Sequence, residues 1–281
     1  MDIGSLRRSF VLELASAGID RPLHEADLLL CEILRRDRGF LLAHLDETFP
    51  PSDLDRAREG LLRRLGREPM AYILGRASFG DLDLRVGPGC LVPRPETEIL
   101  VETSLSLWSE GPFLDWGTGS GVIALSLLHS RPEAEGFAVE AEPSALRWAW
   151  ANLKEYGLLS RCVLLHEARL DALSLKEGSL GLVVSNPPYI PTEDLKDLMD
   201  DVRLYEPSRA LDGGSGGLDP YRGLLPWAAR ALRPGGFLVV EHGGEAQRKA
   251  LLEMASPSLE NVAQIDDLAG RPRVLAWKRL S

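Results

Sequence analysis

Apolar positions along this chain recur first at helical spacing and later in short buried runs, and the change of pattern divides the sequence. Up to about residue 75 the pattern is helical throughout. Leu6, Phe10 and Leu14 recur before Gly18, and Pro22 opens a second apolar stretch reaching Leu34. Ser52 is expected to cap a further helix carrying Leu54, Ala57, Leu61 and Leu65, which stops near Gly66. Several short helices in such a length predict a small bundle. Between 76 and 92, Leu82, Leu84 and Val86 alternate among Gly80, Gly87, Pro88 and Gly89, which predicts a hairpin linker. A helix over about 97–108 follows. From Pro112 the chain alternates between candidate strands (113–116, 136–140, 161–166, 180–185, 236–242, 261–266, 273–279) and candidate helices (121–130, 143–157, 218–232, 245–255). That order predicts an α/β domain over 93–281, a mostly parallel seven-stranded sheet covered on both faces. Only Leu268–Pro272 separates the last two strands, so they are expected to pair antiparallel. Gly213-Gly214-Ser215-Gly216-Gly217 reads as a flexible loop, and no internal repeat is visible.

Composition changes this picture in three ways. The 281 residues carry a formal net charge of −10, which argues against a chain built to grip nucleic acid, where excess Lys and Arg meet phosphates. Cys31, Cys90 and Cys162 are far apart and odd in number, which fits a reducing cytoplasm without a disulfide framework. The five histidines show no metal-ligand spacing, so no metal is expected. The start, Met1–Arg8, lacks the apolar core of a signal peptide, and no run reaches the roughly 18 apolar residues of a membrane span.

Two segments carry candidate chemistry. The apolar run Leu180–Ser185 ends in Asn186-Pro187-Pro188-Tyr189, which reads as a buried strand stopped by a rigid loop. Two prolines fix φ and remove backbone donors. What remains at the strand's carboxyl end is a side-chain amide, free carbonyls and an aromatic ring. Those groups suit gripping a planar group that bears an NH2, whether on a nucleobase or an amide. The second segment is Phe113-Leu114-Asp115-Trp116-Gly117-Thr118-Gly119-Ser120-Gly121, a strand, a glycine loop and a helix start. The glycines admit close approach of a ligand to the backbone. Their spacing is not the dinucleotide G-x-G-x-x-G, and no Walker lysine follows. This disfavours a nicotinamide oxidoreductase. Alone, the loop also fits a plain tight turn. Glu140, at the end of the next predicted strand, is placed to accept the hydroxyls of a ribose, whereas Glu142 reads as solvated.

Together these segments resemble a class I S-adenosylmethionine-dependent methyltransferase. With Asn186–Tyr189 the resemblance narrows to enzymes that methylate planar nitrogens. Four further segments narrow it again: Glu68–Gly75, Leu91–Glu98, Asp201–Pro207 and Gly236–Gly243. In combination the chain resembles the HemK/PrmC family of release-factor glutamine methyltransferases over about residues 65–280; the first 65 match only in being helical.

The resemblance implies a Rossmann-like class I fold and the cofactor S-adenosyl-L-methionine. It implies that Gly117, Thr118, Gly119, Ser120 and Gly121 hold the methionine end and that Glu140, where Asp is usual, binds the ribose. Asn186 would lie beside cofactor and substrate, and Pro187, Pro188 and Tyr189 would contact the substrate. Asn186, Pro187 and Tyr189 would do the catalytic positioning, with the Tyr189 ring on the amide plane. Near adenine the chain reads His166-Glu167-Ala168-Arg169 in place of an acidic residue and an aromatic; Arg169 would stack through its guanidinium. Trp116 stands where a small aliphatic is usual and reads as core. Arg94 and Glu96 read as a structural ion pair, and Glu206 and His242 as structural.

The implied partner is a peptide-chain release factor, modified by a cytoplasmic monomer at the N5 nitrogen of its Gly-Gly-Gln glutamine. The helical segment would serve as the docking domain, without direct nucleic acid or membrane contact. Glutamine methylation of a ribosomal protein, or amino-nitrogen methylation of DNA adenine or rRNA guanine, uses the same chemistry. A non-catalytic binding module would have no use for an intact Asn186–Tyr189.

Overall fold

The computed structural model describes all residues, Met1–Ser281. Its chain forms two compact units, Met1–Arg76 with Met199–Tyr205, and Ala77–Leu198 with Glu206–Ser281.

The first unit holds helices α1 (Ile3–Ser16), α2 (Pro22–Leu34), α3 (Arg38–Ala43), α4 (Pro51–Leu65) and α5 (Met70–Leu74). Asp2 and Asp37 cap α1 and α3 by accepting from the N–H of Ser5 and Phe40. The expected cap at Ser52 is not used. Helix α4 starts on Pro51 with Pro50 at its N-cap, two residues ahead of the start that a Ser52 cap implies; proline's fixed φ and missing N–H suit the first helical position. Leu6, Phe10 and Leu14 of α1 join Leu29, Leu30 and Leu61 in one apolar core. Asp27 is buried against that core between Arg7 and Arg38, with Arg38 Nε 2.8 Å from Oδ2. Burial works against the Asp27 charge, but the hydrogen bonds from both arginines outweigh it and hold the carboxyl below its ordinary value.

The second unit begins with the hairpin β1 (Arg76–Phe79) and β2 (Leu82–Arg85), followed by α6 (Glu96–Leu107). Then come β3 (Phe113–Trp116), α7 (Val122–Ser130), β4 (Gly136–Glu140), α8 (Pro143–Glu155), β5 (Cys162–His166) and β6 (Leu180–Ser185). The short α9 (Asp200–Tyr205) lies within the segment that belongs to the helical unit: Arg64 Nη2 stands 3.5 Å from Asp201 Oδ2, and the Tyr205 hydroxyl donates to Gly66 O at 2.6 Å. The chain closes with α10 (Asp219–Ala231), β7 (Leu232–Glu241), α11 (Glu245–Met254), β8 (Leu259–Asp266) and β9 (Pro272–Arg279).

The seven-stranded sheet has the order β5-β4-β3-β6-β7-β9-β8, parallel from β5 to β7, with β9 antiparallel to both neighbours. This is the Rossmann-like fold of class I methyltransferases. Strand β6 is buried along its whole length, as a central parallel strand must be. The order reverses at β3, with β4 on one side and β6 on the other, so a crevice opens outside their carboxyl ends. The glycine-rich segment at 213–217 is packed rather than loose. Gln247 Nε2 donates to Gly216 O and to Tyr189 O, and a Cβ at Gly217 would collide with Tyr189 O.

Candidate functional site

A cavity of about 440 Å³ occupies this switch point. Its floor is the glycine loop. Gly117, Gly119 and Gly121 all have positive φ (73°, 58° and 83°), the region that favours glycine. A Cβ on Gly119 would meet no protein atom within 4 Å, so that position faces open space; one on Gly121 would lie 3.0 Å from Ala149 Cα, where α7 and α8 pack together.

Two carboxylates hold the loop in shape. Asp115, in the middle of apolar β3, accepts from Thr118 Oγ at 2.5 Å and from the Ala124 N–H at 3.1 Å through Oδ2. Its Oδ1 is buried without a partner. Burial pushes the Asp115 carboxyl up to about 7, against those two hydrogen bonds. Glu140 accepts from the N–H of Gly119 at 2.8 Å and from that of Glu142 at 2.9 Å, one on each oxygen. Each carboxylate oxygen keeps further acceptor capacity.

The opposite wall is the loop after β6. Ser185 Oγ donates to Trp116 O at 2.7 Å, which fixes where the loop leaves the sheet. Asn186 Nδ2 donates to Thr97 Oγ at 3.0 Å, and Thr97 Oγ donates to Glu241 Oε2 at 2.8 Å. The Tyr189 hydroxyl reaches Glu241 Oε1 at 3.3 Å. Burial pushes the fully buried Glu241 carboxyl up to about 7, against the hydrogen bonds from Thr97 and Tyr189. No group of the protein donates to Asn186 Oδ1 or to the carbonyl of Pro187.

Of the residues singled out in the sequence, the cavity brings together Gly117, Thr118, Gly119, Ser120, Glu140, Asn186, Pro187 and Pro188. Gly121 lies behind the floor. Arg169 is off the wall: its side chain is exposed and pairs with Asp171 at 3.4 Å, because Glu167 Oε1 accepts from the N–H of both Ala168 and Arg169 and turns the chain there. Ala168 lines the cavity in its place. Tyr189 is off the wall as well, its ring packed into the core and its hydroxyl drawn to Glu241, so it does not present a face to the cavity. Trp116 both lines the cavity and packs on the core. Arg94 pairs with Glu206, not with Glu96. Thr97, Asp115 and Glu241 were missed. A lone carboxylate inside an apolar strand is the one signal that marks Asp115 and Glu241 in the sequence.

These residues fit S-adenosylmethionine. The open space over Gly117 and Gly119 admits the amino acid end. The Glu140 carboxylate, held at a strand's end with acceptor capacity left over, suits a ribose diol.

Comparison with known proteins agrees. Residues 5–75 match the PrmC N-terminal domain and residues 95–206 the methyltransferase small domain. The release factor glutamine methyltransferase of Moorella thermoacetica is 42% identical over 276 residues, 96% of each chain. That of Bradyrhizobium diazoefficiens is 38% identical, covering 99% of this chain and 95% of its own. That of Geobacter sulfurreducens is 42% identical, covering 83% of this chain and 82% of its own. Likeness of this degree along nearly the whole chain, over a methyltransferase sheet with Asn186–Tyr189 at its switch point, means that the chain belongs to the release factor glutamine methyltransferase family.

Proposed function

We propose that this protein transfers a methyl group from S-adenosylmethionine to the side-chain amide nitrogen (N5) of the glutamine in the Gly-Gly-Gln motif of a peptide-chain release factor. The observation that carries the reading is the pair of unengaged acceptors, Asn186 Oδ1 and the Pro187 carbonyl, beside a cavity floored by the glycine loop.

An amide nitrogen is a poor nucleophile because its lone pair is delocalised into the carbonyl. Two acceptors aimed at its two N–H groups hold it and favour a more pyramidal nitrogen. Asn186 Oδ1 and Pro187 O supply them, and Pro188 stiffens the loop that carries both. When bound, S-adenosylmethionine supplies a methyl group activated by its sulfonium. The protein's part is then alignment, which is worth roughly 7–11 kcal/mol in favourable cases. The same two oxygens lie where positive charge develops on nitrogen and so stabilise the transition state electrostatically. The methylated nitrogen becomes acidic and loses its extra proton to water, so no strong base is needed beforehand.

In this reading the helical unit docks the release factor, and the protein works as a cytoplasmic monomer without nucleic acid. No helix is long and apolar enough to cross a membrane. The test offers methyl-labelled cofactor with release factor, ribosomal protein, DNA and rRNA in parallel and locates the label by mass spectrometry. Label on the Gly-Gly-Gln glutamine is the expected result. Label confined to any other substrate overturns it.

A further inference from the structure

We propose that Thr97 and Glu241 are positioning residues that decide which end of the Asn186 amide faces the cavity. The inference rests on the functional reading above and adds to it how the acceptor is aimed. An amide presents an oxygen at one end and two N–H groups at the other, in nearly the same shape. Only one orientation offers Oδ1 to the substrate. The other would point N–H against N–H.

The geometry removes that ambiguity. A carboxylate only accepts, and a threonine hydroxyl has a single hydrogen. The Thr97 hydrogen is committed to Glu241 Oε2 at 2.8 Å, so toward Asn186 the Thr97 oxygen offers only a lone pair. The partner at 3.0 Å must therefore be the donor end, Nδ2, and Oδ1 is left for the cavity. Glu241 also receives the Tyr189 hydroxyl. One buried carboxylate thus ties the first residue of the loop through Thr97 and the last residue directly.

The device depends on the charge of Glu241. The groups facing that carboxyl are Thr97 and Glu96 from α6, Tyr189 from the loop and Arg273 from β9, while the Tyr221 hydroxyl of α10 donates to its backbone carbonyl at 2.6 Å. With burial pushing the carboxyl up to about 7, it is neutral on the acid side of that value. A neutral Glu241 brings a hydrogen of its own and can donate to Thr97. Thr97 is then released to donate to Oδ1, and the amide turns over.

The experiment measures kcat on release factor and the cofactor dissociation constant for wild type, Thr97→Val, Thr97→Ser and Glu241→Gln. Thr97→Val is expected to lower kcat about a hundredfold, the scale of a misaligned reacting group, with cofactor affinity unchanged. Thr97→Ser restores most of the rate. The wild-type kcat falls below about pH 7, and Glu241→Gln loses this limb. A Thr97→Val enzyme at wild-type rate, a Thr97→Ser enzyme as slow as Thr97→Val, or parallel loss of cofactor affinity overturns the inference. Should Thr97→Val not fold, the limb decides: its persistence in Glu241→Gln overturns the inference and its loss supports it. Wild type that labels no release factor overturns the functional reading itself, whereas active wild type with indifferent variants sinks only the positioning role.

Discussion

Asn152 serves Arg85 as a neighbouring strand would: its Oδ1 accepts from the Arg85 N–H at 2.7 Å and its Nδ2 donates to the Arg85 carbonyl at 3.0 Å. The same Nδ2 donates to Ser120 O at 2.8 Å, so one fully buried amide on α8 joins β2 to the glycine loop. Asn152→Ala strands these backbone groups at about 1–3 kcal/mol for a buried unsatisfied group. The denaturant midpoint should drop, and cofactor affinity should fall with it. A variant of wild-type stability would show that β2 does not need this link.

Gly119→Ala separates binding from folding. The position is left-handed at φ 58°, a conformation that costs alanine about 1 kcal/mol. The added methyl meets no protein atom, only the space assigned to the cofactor. Calorimetric titration should find cofactor affinity lowered about tenfold or more, with a melting temperature only a few degrees down. Gly121→Ala, crowded against Ala149, should do the reverse and destabilise the fold first.

Asp115 gives a pH dependence with a definite sign. Its folded value, near 7, lies above its ordinary 3.8. The stabilisation is complete below the ordinary 3.8 and is lost progressively as pH rises from there through about 7, because the unfolded chain releases this proton while the buried group still holds it. Asp115→Asn keeps an acceptor for Thr118 and Ala124 and never ionises. Its melting temperature should match wild type below about pH 4 and exceed it by a margin that grows up to about pH 7 and persists at about pH 8. Equal melting temperatures at pH 8 would mean that Asp115 ionises without penalty.

In the helical unit, Asp27→Asn leaves Arg7 and Arg38 facing a neutral amide. Asp27 is buried, but Arg38 is largely exposed and can return to water, so chemical unfolding of the variant should show a loss of about 1.5–3 kcal/mol, the range for hydrogen bonds to a charged group. A change below about 1 kcal/mol would class the triad with exposed pairs.

The central strands of the sheet were legible because they are local apolar runs, as at Phe113–Trp116 and Leu180–Ser185, whereas β7 starts at Leu232, four residues ahead of the run expected over 236–242. The cavity floor and the Asn186 loop were legible for the same reason, since glycine and proline constrain the chain where they stand. The orientation of side chains was not. Asn186 meets Thr97 across 89 positions and Thr97 meets Glu241 across 144, distances at which no spacing rule operates. Tyr189 was expected on the wall but turns inward because a buried carboxylate draws its hydroxyl. Arg94 finds Glu206 rather than the nearby Glu96, a choice made by tertiary packing.

The helical unit is not one continuous piece of chain, because Met199–Tyr205 returns to it from the far side of the Asn186 loop. A chimera of two relatives spliced only at Arg76 would inherit this unit from both parents. Arg64 would then come from one and Asp201 from the other, and Gly66 would have to accept a foreign Tyr205. Sequence change on one side of that splice is therefore tied to change on the other, and the two segments can be exchanged safely only as a set.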